Sequence, residues 1–142
     1  TATTEIYTSF PTRRSSDLGD VFVFGKRRLM CGDSTKLEDV EKLMNGTKAD
    51  MIFTDPHYNV DYEGSTGMKI QNDKQSDEDF YNFLLKAFKN MHESVKPGGA
   101  IYVCHTDSEG VNFRNAFKAA GFKIAECLIW VKNSLALGRQ DY

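Results

Sequence analysis

The sequence predicts an α/β fold in which a mostly parallel sheet is flanked by helices. Three observations predict it. Short apolar runs rich in β-branched and aromatic residues recur along the chain, apolar residues at helical spacing lie between them, and glycine or proline marks most of the changes. Strand, helix, strand, helix, strand in that order implies right-handed crossovers and parallel pairing.

With 142 residues, 40% of them hydrophobic, the chain is one domain's worth of globular sequence. The net charge of −2 provides no overall basic field, so any contact with nucleic acid must be local or lie outside this chain. Cys31, Cys104 and Cys127 each sit in an apolar run without a pairing pattern. They read as core thiols of a protein kept in a reducing cytoplasm. No stretch approaches the ~18 apolar residues of a membrane span, and no signal peptide is visible, so no membrane partner is expected.

Residues 1–18 show neither helical nor strand periodicity and read as a non-native, adapter-like segment or a linker; residues 19–142 form the folded part. Val21 to Phe24 and Leu29 to Cys31, joined by a turn at Gly25, read as a hairpin. Asp33 follows at a strand end. Thr35-Lys36-Leu37-Glu38 then gives a capping-box pattern for a helix carrying Leu37, Val40, Leu43 and Met44, closed by Gly46.

The run 49–54 is the central buried strand, and residues 61–75 are polar and loop-like. Ser76-Asp77-Glu78-Asp79 opens the strongest helix, whose apolar face is Phe80, Phe83, Leu84, Ala87, Phe88, Met91 and Val95; Pro97-Gly98-Gly99 ends it. A strand at 100–104 leads to His105-Thr106-Asp107. A further helix carries Val111, Ala116, Phe117 and Ala120 up to Gly121, and 122–131 reads as a last strand containing Trp130. Tyr102, Trp130 and the phenylalanines are expected in the core.

The central strand ends in Asp55-Pro56-His57-Tyr58-Asn59-Val60. A buried strand that delivers a carboxylate to the lip of an α/β sheet puts it where such folds bind ligands. This hexapeptide, with the helix, Pro-Gly-Gly and strand that follow, resembles the Asp-Pro-Pro-Tyr motif of the amino-methylating DNA methyltransferases, most closely the branch whose catalytic motif precedes its cofactor glycine motif. His57 stands where that family has its second proline.

The resemblance implies a partial Rossmann-like methyltransferase fold, incomplete at its C-terminus. It also implies transfer of a methyl group from S-adenosylmethionine to adenine N6, or to cytosine N4, of a flipped DNA base. Asp55, Pro56 and Tyr58 would be catalytic; Tyr58, Asn59 and His57 would touch the base; Asp33 and Asp55 would contact the cofactor. The initial aspartate favours adenine, since cytosine-N4 members usually carry serine there.

The recognition region that binds DNA, a final strand and the glycine turn for the cofactor would lie outside this chain, leaving the isolated chain inactive. Neither Gly64 and Gly67 nor Gly98-Gly99 lies in the strand-turn-helix context of a nucleotide fingerprint. A prokaryotic or phage-encoded restriction–modification protein without an obligatory protein partner is the expected setting. The competing readings are a metal-dependent hydrolase or nuclease using Asp55, His57, His105 and Asp107, and an RNA or protein methyltransferase of the same fold.

Overall fold

The computed structural model describes residues 17–61, 67, 73–131 and 133. The expectations for residues 1–16, for Gly64 and for most of the 61–75 loop lie outside them. The elements in order are β1 (Val21–Phe24), β2 (Arg27–Met30), α1 (Leu37–Met44), β3 (Ala49–Thr54), α2 (Asp77–Ser94), β4 (Val95–Val103) and α3 (Gly110–Ala119). The strands form two sheets: β1 with β2 antiparallel, and β3 with β4 parallel.

The hairpin turns on Gly25 at φ +60°, a conformation open to glycine at the first central position of a two-residue loop. It does not join the parallel pair. Arg28 ties it to α1, its Nε and Nη2 donating to the Leu43 and Lys42 carbonyls at 2.8 and 2.9 Å. Those carbonyls lie in the last turn of α1, where a cation is also favoured by the helix dipole. Asn45 at φ +50° and Gly46 at φ +76° then turn the chain away.

The capping box expected for α1 is not used. The Asp33 carboxylate accepts both the amide and the hydroxyl of Thr35, at 2.9 and 2.7 Å, so the hydroxyl is committed to a local turn and Lys36 is the N-cap without a side-chain bond. At α2 the cap forms as expected. Ser76 Oγ accepts from the Asp79 amide at 3.1 Å and donates to the Asp79 carboxylate at 2.7 Å.

The core lies where α2 packs against α3: Phe80, Leu84 and Phe88 from α2 meet Phe113, Ala116 and Ala120. Ring contacts run through it, Phe80 to Phe113 edge-on at 5.7 Å and Phe88 to Phe117 edge-on at 5.6 Å. Val111, expected on the buried face, is 72% exposed, and Phe113 takes that place. The helix begins at Gly110, and a residue two positions along lies on a different side of it.

Helix α2 passes into β4 without a connecting loop. Val95 pairs with Ala49 and Ala100 with Met51, so 96–99, including Pro97-Gly98-Gly99, bulge out of the ladder. A Cβ at Gly99 would sit 2.9 Å from the Asp50 carbonyl and 2.6 Å from Val95 Cγ2, so only glycine allows this approach. Beyond the bulge, Ile52, Thr54, Ile101 and Val103 are half-buried, whereas Met51, Phe53 and Tyr102 are exposed on the other face.

Residues 122–131 were expected as a strand and are not one: no described strand pairs with them, and Leu128, Ile129, Trp130 and Val131 are 69–84% exposed. A strand is completed by its neighbour's hydrogen bonds, and β-propensity alone does not supply them. Trp130 and Tyr102 are therefore not core residues here, and Cys127 is exposed while Cys31 and Cys104 are half-buried. Among the described residues no helix is long and apolar enough to cross a membrane.

Candidate active site

Parallel pairing puts the carboxyl ends of β3 and β4 side by side, with the Cys104 amide donating to the Thr54 carbonyl at 2.9 Å just past the last strand pair. Asp55 is the next residue of the β3 chain, and its side chain reaches solvent. An acid exposed at the lip is thus a consequence of where β3 stops.

Tyr58 turns back onto Asp55. Its hydroxyl donates to Asp55 Oδ1 at 2.5 Å, and its ring, half-buried, packs against the edge of the α2–α3 core. Asp55 Oδ2 and the Pro56 carbonyl accept no hydrogen bond from the described residues. Two acceptors next to each other in the chain are therefore without a hydrogen bond from the described residues, close to Tyr58.

Burial, then the hydrogen bond to Asp55 and the charge of that carboxylate, push the Tyr58 phenol up to about 12. The folded value lies above the ordinary phenol value of 10.0, so the neutral phenol contributes stability that is complete below pH ~10 and is lost as pH rises through ~12. Tyr58→Phe should therefore flatten the decline in stability between those pH values, as read by urea titrations at a series of pH. An unchanged slope would mean that folding does not raise the Tyr58 phenol. Burial and then Asp55 also push the Cys104 thiol up.

The remaining motif residues face the approach to α2. Asn59, left-handed at φ +57°, bonds both main-chain groups of Gln75: Nδ2 donates to the carbonyl at 3.2 Å, and Oδ1 accepts from the amide at 2.6 Å. The His57 ring lies against Phe83 and Phe80 at 4.7 and 5.4 Å, with Nδ1 3.4 Å from Asp73 Oδ1. The structure therefore brings Asp55 and Tyr58 together and turns Asn59 and His57 toward supporting contacts with 73–83.

Asp33 stands at the turn after β2. The Thr35 hydroxyl and amide hold its carboxyl below the usual range. Asn90 of α2 fastens the same turn by donating to the Ser34 carbonyl at 2.9 Å. No hydrogen bond or ion pair among the described residues joins Asp33 to Asp55 or Tyr58.

The metal-site alternative finds no support. His57 packs on α2, and His105 stacks on Phe113 at 5.3 Å with Nδ1 engaged by the Thr106 carbonyl at 2.9 Å. Among the described residues no three His, Cys, Asp or Glu side chains group as a metal would require. Asp73 and Gln75, which hold the motif, lie outside every motif read from the sequence. Only the burial of a carboxylate ahead of a capped helix points to Asp73, and a sequence does not display that.

A family model described as DNA methylase, of the N6/N4 methyltransferases, matches residues 49–142. No curated protein and no solved structure matches the chain.

Proposed function

The chain belongs to the N6/N4 DNA methylase family, and from that premise we propose that it takes part in transfer of a methyl group from S-adenosylmethionine to the N6 amine of an adenine turned out of duplex DNA. The observation that carries this reading is the exposed Asp55 just past the end of β3, bonded by the Tyr58 hydroxyl, with Oδ2 and the adjacent Pro56 carbonyl accepting no hydrogen bond from the described residues.

The exocyclic amine is a poor nucleophile because its lone pair is delocalised into the base. Acceptors aimed at its two N–H bonds favour the pyramidal form that attacks, and they stabilise charge that develops only in the transition state. Asp55 Oδ2 and the Pro56 carbonyl are suited to that task. Tyr58 serves it indirectly: by occupying Oδ1 it fixes the carboxylate rotamer and directs the other oxygen outward, while its ring face offers a stacking surface for the flipped base. Proline at 56 has a fixed φ, which limits the wandering of its own carbonyl.

Two described groups would contact the cofactor in this reading. Asp33, whose Oδ2 accepts no hydrogen bond from the described residues, would accept from a ribose hydroxyl, and Asp55 would lie beside the donor's methyl. When bound, S-adenosylmethionine supplies an electrophilic methyl whose carbon–sulfur electron pair stays on sulfur as the nitrogen–carbon bond forms. Asp55 holds the amine during attack and is placed to take the proton it then sheds; the rest of the rate comes from alignment.

The aspartate that opens the motif favours adenine over cytosine. Incubation of a protein that carries this chain together with a recognition region and a cofactor glycine turn, with methyl-labelled S-adenosylmethionine and unmethylated duplex DNA and digestion to nucleosides, tests the proposal. Label in N6-methyladenine is expected. Label in N4-methylcytosine would move the target to the other amine, and label in RNA or protein but not in DNA would overturn the substrate class.

A further inference from the structure

We propose that Asp73, which no motif contains, is a positioning residue for the Asp55–Tyr58 pair, acting through the Val60 amide and the edge of His57. The inference rests on the reading that this pair forms the site. Asp73 is 3% exposed and lies in the segment leading to α2, outside any helix. A carboxylate so far from water is costly unless polar groups meet it. Two of the groups near it, the Val60 amide and the His57 ring, belong to the motif.

Its Oδ1 accepts from the Val60 amide at 3.4 Å, and the same oxygen lies 3.4 Å from Nδ1 of His57. His57 Nδ1 is itself buried without a hydrogen-bond partner, so a small rotation of the ring would bring it onto the carboxylate. One side chain thus bonds the chain after Tyr58-Asn59 and lies against the residue before them. The Asp73 carbonyl adds a third tie, accepting from the Asp61 amide at 2.7 Å.

These ties matter because the backbone they hold is strained. Asn59 and Asp61 both have left-handed φ, +57° and +52°, and neither is glycine. Such conformations persist when the surroundings over-determine them. The paired bonds from Asn59 to Gln75 fix one side of the turn, and Asp73 fixes the other. The turn starts directly after Tyr58, so its shape sets whether the phenol can return to Asp55, three residues earlier. Phe80 and Phe83 lie against His57 on one side, and among the described residues Asp73 is the charged group paired with that ring.

The test uses the full chain with Asp73→Ala and Asp73→Asn, reading amide hydrogen exchange together with the ring carbon signal of Tyr58 next to its hydroxyl. In the unaltered chain the Val60 amide should exchange at least about a hundredfold more slowly than in a free peptide. Asp73→Ala should accelerate it about tenfold or more and move the Tyr58 signal away from its hydrogen-bonded position, with Leu84 and Phe88 amides unchanged as controls for the fold. Asp73→Asn keeps an oxygen in place and should restore Val60 exchange to within about threefold and the Tyr58 signal fully.

Should Asp73→Ala not fold, Asp73→Ser takes its place with the same expectation. An unprotected Val60 amide in the unaltered chain, or a Tyr58 signal that stays put in Asp73→Ala, overturns the proposal. Neither reading uses DNA or methyl donor, so absence of methyl transfer would count against the proposed function and leave this assignment to be judged by its own outcomes.

Discussion

Replacing Asp55 with alanine should lower methyl transfer to DNA by at least ~10²–10³-fold, the loss expected when a single preorganised group that stabilises transition-state charge is removed. The fold should survive, because Asp55 is exposed, lies past the end of β3 and carries one defined contact, the Tyr58 hydroxyl. Stability should change by no more than ~1 kcal/mol, the net contribution of a hydrogen bond. Steady-state kinetics should show the loss in kcat, because the interaction is made with an amine that changes shape during attack. A variant with kcat close to that of the unaltered protein would separate the carboxylate from the chemistry.

Phe88→Ala should show the opposite pattern, a large loss of stability at a distance from the site. Phe88 is fully buried in α2 and meets Phe113 and Phe117 of α3, so truncation leaves a ring-sized hole between the helices that form the core. Deletion of a buried phenylalanine costs about 3–5 kcal/mol, a large share of the ~5–15 kcal/mol that a domain possesses. The melting temperature should fall by more than ~10 °C in calorimetry. A loss below ~1 kcal/mol would mean that the α2–α3 contact is not what holds the domain together.

Local signals were readable in the sequence and long-range ones were not. The run 49–54 ending in Asp55 is strand β3, and Ser76 with Asp79 forms the cap that its spacing announces. Both depend on neighbours a few residues away. The tie from Asn59 to Gln75 and the tie from Asp73 to Val60 cross sixteen and thirteen residues of polar sequence with no periodicity to mark them. His57 and His105 look like ligands in a linear reading, since the phenylalanines they pack against come from α2 and α3. The 122–131 run has strand composition, but the pairing partner that a strand requires is not written in its own residues.

Asp55 joins both levels, placed by local sequence and oriented by a contact from Tyr58. Chemical-shift mapping of the isotopically labelled chain with deoxyadenosine, and with its N6,N6-dimethyl derivative as a ligand without N–H bonds to offer, tests its proposed grip on an amine. The result expected is a set of shifts at Asp55, Pro56's neighbours and Tyr58 with deoxyadenosine, absent with the dimethyl derivative and absent in Asp55→Ala. Equal shifts with both nucleosides, or shifts that persist without the carboxylate, would show that the base is not held through its amine at this site.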